Sequence, residues 1–180
     1  MAHFAELGVN DTVIKTVYLD NIKNMTLGGI EKESIGAGYL RENHGGTWVQ
    51  FSLYTHEGVH VDGRTPFRAN TPSADGTWKY NSEYDIFHQI NPPTDRLGAA
   101  STSWVLNTTT GAWESPYGDT AVQKPFSDGH GVWEWDEQAY QSDTSDPKTA
   151  GWVWKVGIGD RKSTRLNSSH VRTSRMPSSA

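Results

Sequence analysis

The chain has 180 residues, with 21 Asp+Glu against 16 Lys+Arg, a net charge of −5 and no cysteine. That length suits one domain, or a small domain with a hairpin extension. The composition excludes a disulfide framework and thiol catalysis, and no apolar run approaches membrane-spanning length. The start, Met1-Ala2-His3-Phe4-Ala5-Glu6, lacks the basic and apolar regions of a signal peptide.

Residues 3–7 and 12–19 read as two strands around the turn former Gly8-Val9-Asn10-Asp11. In the second, Val13, Lys15, Val17 and Leu19 alternate with Ile14, Thr16 and Tyr18. Both sets are largely apolar, which predicts a central strand. Residues 29–41 are the one good helix candidate: Ile30, Ser34, Ala37 and Leu40 or Arg41 fall at near-helical spacing. Glu31 and Glu33 suit its first turn, and Asn43-His44-Gly45-Gly46 is a plausible stop. Thr47-Trp48-Val49-Gln50-Phe51-Ser52-Leu53-Tyr54 alternates cleanly and is the clearest strand. Residues 55–76 are rich in Gly, Asp, Thr and Pro and read as a long surface loop, with a short strand near 58–62.

A repeated pattern follows: Trp, any residue, an apolar residue, then Asn or Asp. It occurs at Trp78-Lys79-Tyr80-Asn81, Trp104-Val105-Leu106-Asn107 and Trp133-Glu134-Trp135-Asp136. An aromatic residue returns after each: Phe87, Trp113, and Trp152 with Trp154. Each unit reads as a β-hairpin. Trp78, Phe87, Trp104 and Trp113 are expected to form structural aromatic pairs, with Trp104 facing Trp113 across the middle hairpin. The loop Asn107-Thr108-Thr109-Thr110-Gly111 suits a type I turn followed by a Gly of positive φ. In the third unit Asp136 and Glu137 are expected in the turn, and residues 141–150 form a polar insertion expected to be mobile. Trp133, Trp135, Trp152 and Trp154 form a stripe on one face if both segments are strands. They are the candidate binding residues, either packing or offering platforms to sugar rings.

Residues 160–170 and 174–180 read as an in-frame translation of a common short-read sequencing adapter, separated by a gap of index size. Residues 160–180 are therefore expected to be an artefactual, disordered tail and are set aside. Residues 1–159 then carry 11 basic and 20 acidic groups, net −9. Such a chain has no electrostatic footprint for nucleic acid. The expected organisation is a small N-terminal α+β region (1–76), three Trp-hairpin units (77–159) and the tail.

Chemistry-bearing motifs are few. His56, His60 and Asp62 are weak candidates for a metal, since two His and a carboxylate sit close in sequence. Their spacing suits a helix, in a segment that does not read as helical. Glu83, Asp85, Asp136 and Glu137 are the obvious carboxylates, but nothing pairs them across a cleft. There is no Gly-x-Ser-x-Gly elbow, phosphate loop or dinucleotide fingerprint. The expectation is a protein that is not an enzyme and takes no cofactor.

The ordered motifs resemble those of small, largely uncharacterised proteins of marine tailed bacteriophages. The matching segments are Met1-Ala2-His3-Phe4-Ala5, Asn10-Asp11 with the Val13–Val17 strand, and Thr47-Trp48-Val49-Gln50. Gly76 to Asn81 with Asp85-Ile86-Phe87, Ser103 to Asn107 with Trp113 and Pro116, and Trp133 to Glu137 with Trp152-Val153 complete the series. The resemblance covers most of residues 1–156. Where the family runs Arg-x-Asn-Tyr-Ala-Gly-Ile-Gly, this chain keeps only Arg68-Ala69-Asn70. The resemblance implies a virion-associated structural or accessory protein, assembled in the host cytoplasm beside other virion proteins or as a homo-oligomer. It supplies no catalytic residues. The alternative is a carbohydrate-binding module for host-surface glycan. The expected fold is mainly β (α+β): a small N-terminal sheet with one helix, then Trp-anchored hairpins.

Overall fold

The computed structural model describes residues 2–20, 32–63, 67–117 and 131–156. The expected tail at 160–180, the first residues of the predicted helix and the linker at 118–130 lie outside these. The described residues are mainly β, in small antiparallel sheets with two α-helices. The chain divides into two compact units, residues 1–119 and 120–180.

In the first unit, β1 (Ala2–Leu7), β2 (Val13–Leu19) and, after α1 (Glu33–His44), β3 (Thr47–Phe51) form one sheet of order β2-β1-β3. The central strand is thus β1, and β2 is an edge, contrary to the expectation from its two apolar faces. A register shift explains the difference. Glu6 pairs with Lys15 but Leu7 pairs with Val13, so Ile14 is the extra residue of a bulge. The bulge moves Val13 off the face it would share with Val17 and Leu19. Ile14 and Tyr18, the apolar residues that made β2 look central, are 54 % and 71 % exposed.

The sheet is covered on both faces, which is why β1 is buried on both. On one face Ala2, Phe4, Leu19 and Trp48 pack with Leu40 of α1, flanked by Val17, Ala37 and Tyr39. On the other, Ala5, Val13, Val49 and Phe51 pack with Phe87. The helix ends at Gly45, whose N–H donates to the Arg41 carbonyl. Gly45 and Gly46 have φ of 73° and 75°, a conformation open to Gly at no steric cost.

Phe87 belongs to a ribbon of β6 (Trp78–Asn81) and β7 (Ile86–Gln89); β4 (Thr55–His56) and β5 (Val59–His60) form a smaller hairpin before it. After it come β8 (Val105–Leu106) and β9 (Trp113–Glu114). The first two Trp units fall within the first compact unit, residues 1–119. Phe87 of the first is buried in the sheet's second core.

The second unit is built on β10 (Gly131–Trp135) and β11 (Trp152–Val156), joined through α2 (Glu137–Ser142). Asp136 and Glu137 are not hairpin-turn residues. Asp136 caps α2, its carboxylate accepting from the Ala139 N–H at 2.8 Å. The polar insertion beyond is bonded around Asp143, which accepts from the Ser145 hydroxyl and the N–H groups of Ser145, Thr149 and Ala150. These bonds, that of the Ser145 hydroxyl foremost, hold the Asp143 carboxyl well below the usual carboxylate range.

Candidate functional site

The four tryptophans of the second unit lie on one face of the β10–β11 ribbon. Trp133 is opposite Trp154, and Trp135 opposite Trp152. Their rings are 5.1 and 5.3 Å apart and inclined by 48° and 77°. Those distances and angles match the tilted and edge-to-face geometry that aromatic quadrupoles favour. Trp135 is 4 % exposed, also packs on Tyr140 at 5.3 Å, and donates its indole N–H to Glu137 at 2.8 Å. Glu137 in turn accepts from Gln141. Gly151 lies where a Cβ would meet the Trp135 ring at 2.6 Å. The stripe is present, but its indoles are mutually inclined and partly buried rather than a coplanar row. The Trp133 Nε1 is buried without a hydrogen-bond partner among the described residues.

The first unit contains a different arrangement, which begins at Arg68 and Asn70. Both stand in the segment read as a surface loop, and both are instead tied into the interior. Arg68 forks onto Glu33 with two bonds of 3.0 Å and donates 2.6 Å to Asp85 and also to the Gln50 carbonyl. Its plane lies 4.7 Å from the Phe67 ring centroid and 5.5 Å from that of Tyr80. Burial disfavours the guanidinium charge, but the bonds and charges of Glu33 and Asp85 outweigh it and raise the Arg68 pKa. Tyr80 also donates to Asp85; burial first, then that bond, push the phenol up. Asp85 is therefore a structural partner.

Asn70 joins three segments. Its carbonyl accepts from the Glu57 N–H at 2.9 Å, and its amide donates to the Phe87 carbonyl at 2.9 Å and the Thr110 carbonyl at 3.2 Å. Gly58, beside Glu57, donates to the Ala69 carbonyl. The tips of the β4–β5 and β8–β9 hairpins are thereby drawn together against β7. Gly111 is required there: its φ is +67°, and a Cβ would fall 2.5 Å from the Asn70 amide and 2.8 Å from the Phe87 carbonyl. The turn before it forms as expected, with the Asn107 side chain accepting from the Thr109 and Thr110 N–H groups.

The convergence leaves a cleft of about 260 Å³ with Trp78 and Trp113 in its lining, together with Glu57, Asn70, Gln89 and Gly111. Trp78 stands opposite Gln89 across β6–β7, while Phe87 stands opposite Tyr80 at 5.1 Å. The ribbon face is thus core at one end and cleft at the other. Trp113 stands opposite Leu106, and Trp104 precedes β8, so the expected Trp104–Trp113 cross-strand pair does not form. Trp113 instead donates its indole N–H to the Gln89 carbonyl at 3.0 Å and meets His88 edge-on at 6.4 Å. The middle hairpin uses its returning Trp to dock on its neighbour. Glu57 and Gln89 are exposed, and their side chains make no hydrogen bond or ion pair among the described residues.

Beneath Trp113, His88 is buried. Its Nδ1–H donates to the Gln89 carbonyl at 2.7 Å, and Nε2 has no partner among the described residues. Burial lowers its pKa, with a smaller push from Lys79; the bond to Gln89 opposes both.

The metal candidates do not converge. His60 pairs with Thr55 and His56 with Val59, which places the two imidazoles on opposite faces of the β4–β5 hairpin. The His60 Nδ1 accepts from the Asp62 N–H. Among the described residues no group of three His, Asp or Glu could hold a metal ion. Sequence reasoning named Trp78 and Trp113 as packing residues and missed Glu57, Asn70 and Gln89. Only a knowledge of which hairpin tips meet could have found them. No protein-family model, curated protein or solved structure matches the chain.

Proposed function

We propose that this is a non-enzymatic, virion-associated structural or accessory protein of a tailed bacteriophage, in the tail-fibre, baseplate or head-decoration class. The observation that carries the reading is the ordered motif series from Met1-Ala2-His3-Phe4-Ala5 to Trp133-Glu134-Trp135-Asp136-Glu137. In this reading the N-terminal sheet, its helix and the Trp-anchored hairpins are a framework for assembly. The edge strand β2 supports it, since beyond the Thr12–Lys79 bridge it offers the exposed apolar side chains of Ile14 and Tyr18 along an outer edge of the kind that recruits another chain. The partners are other virion proteins or a second copy, and assembly takes place in the host cytoplasm. Mass spectrometry of purified particles of a phage encoding this chain or a homologue tests the proposal. Detection in particles is expected; presence in infected-cell lysate with absence from particles would sink it.

The alternative, a glycan-binding module using Trp133, Trp135, Trp152 and Trp154, draws less support from the inclined packing of those rings. A sugar platform needs an accessible flat face, and Trp135 is buried.

A further inference from the structure

We infer that the cleft between Trp78 and Trp113 is a binding site for a single pyranose ring, separate from the tryptophan stripe of the second unit. A pyranose presents axial C–H groups on its faces and hydroxyls on its rim, so it needs an apolar surface edged by polar groups that accept and donate. Trp78 and Trp113 supply the apolar surface. Gln89 can both donate and accept, and Glu57 can accept from two adjacent hydroxyls. Neither side chain is occupied by another residue among those described, so both are free to turn toward a ligand.

Size points the same way. At about 260 Å³ the cleft falls just under the ~300–1,000 Å³ typical of sites for drug-sized ligands, room for one ring rather than an oligomer. Charge excludes the competing small ligands. None of the lining residues is Lys or Arg, and Glu57 would repel phosphate or a nucleotide. An ammonium group would use Glu57 and the rings but leave Gln89 without a role.

The site is also held in place. The Trp113 indole N–H is committed to the Gln89 carbonyl, so what this ring offers is its surface, at a fixed position. Asn70 spends its amide on three backbone groups and so fixes the floor. Pre-positioned walls reduce the ordering cost of binding, although a ligand this small still binds only on the order of millimolar.

The experiment is an NMR titration of the intact ¹⁵N-labelled chain with methyl glycosides of glucose, galactose, mannose and N-acetylglucosamine. Choline and inorganic phosphate serve as comparisons. Indole N–H signals are assigned through single Trp→Phe variants. The inference predicts saturable shifts at Trp78 and Trp113 with at least one glycoside. Gln89→Ala and Glu57→Gln, at exposed positions, should each weaken binding about 3- to 10-fold, the loss of one net hydrogen bond. Four results would overturn it: no saturable shift with any glycoside, stronger shifts with choline or phosphate, undiminished binding by both variants, or shifts confined to Trp133, Trp135, Trp152 and Trp154. Each stands apart from whether the protein is carried in a particle.

Discussion

Arg68 ties together segments that lie far apart in the chain, and its partners differ in worth. Its side chain is 8 % exposed, that of Asp85 58 %, so water screens the second pair far more than the pair with Glu33. Arg68→Lys removes the planar fork while keeping the charge. It is expected to cost about 1–3 kcal/mol, because Glu33 and the Gln50 carbonyl lose good partners. Asp85→Asn should cost under about 1 kcal/mol. Urea denaturation checks the order; equal costs would contradict it. The folded pKa of His88 is lowered below the ordinary 6.5, because protonation would place a second N–H at a buried position with no acceptor among the described residues. The unfolded chain thus takes up the proton first. Its contribution is complete above 6.5 and is lost as the pH falls through the folded value. His3, also lowered by burial, acts in the same direction. Thermal unfolding should show a midpoint that drops between neutral and mildly acidic pH, with a shallower drop in His88→Gln. An unchanged slope would show that His88 does not titrate in this way. None of these roles was legible in the sequence. A Gly-, Asp- and Pro-rich stretch reads as loop, and local pattern carries no sign that Arg68 and Asn70 fold inward onto partners 17 to 40 positions away.

Among the elements, what could be read was what local chemistry decides. The strands read at 3–7, 12–19 and 47–54 form at 2–7, 13–19 and 47–51, and they, the Gly45 stop of α1 and the Gly111 turn follow from alternation and turn residues. Register was less legible. One bulged residue moved Val13 to the other face of the sheet, and the strand expected to be central is an edge. In the middle hairpin the register Leu106–Trp113 left Trp104 outside the strands, freeing Trp113 to build the cleft. Only in β10–β11 do the tryptophans face each other as the repeat implied. There the rings, rather than the short ladder alone, should hold the ribbon, since two-stranded hairpins are marginal in water. A double-mutant cycle of Trp133→Ala and Trp154→Ala is expected to give a coupling of about 0.5–1.5 kcal/mol. The cycle of Trp133→Ala with Val153→Ala, on the opposite face, should give a coupling near zero. Similar couplings in the two cycles would show that the ring pair has no special part in the ribbon.

At the scale of the molecule, two compact β-rich units each carry their own tryptophan chemistry. The first uses Trp78 and Trp113 beside a cleft, the second uses four indoles as a paired stripe. Among the described residues no helix is long and apolar enough to cross a membrane. Residues 1–159 carry a net charge of −9. In the function proposed here, the tryptophan-paired β10–β11 ribbon and the two-faced N-terminal sheet are a framework for assembly. That is the central claim, and co-sedimentation tests it most directly. Particles of a phage encoding this chain or a homologue would be banded in a density gradient, and each fraction quantified by mass spectrometry. The account predicts a constant ratio of this protein to the major capsid protein across the particle band. A protein that stays at the top of the gradient, away from the band, would contradict it.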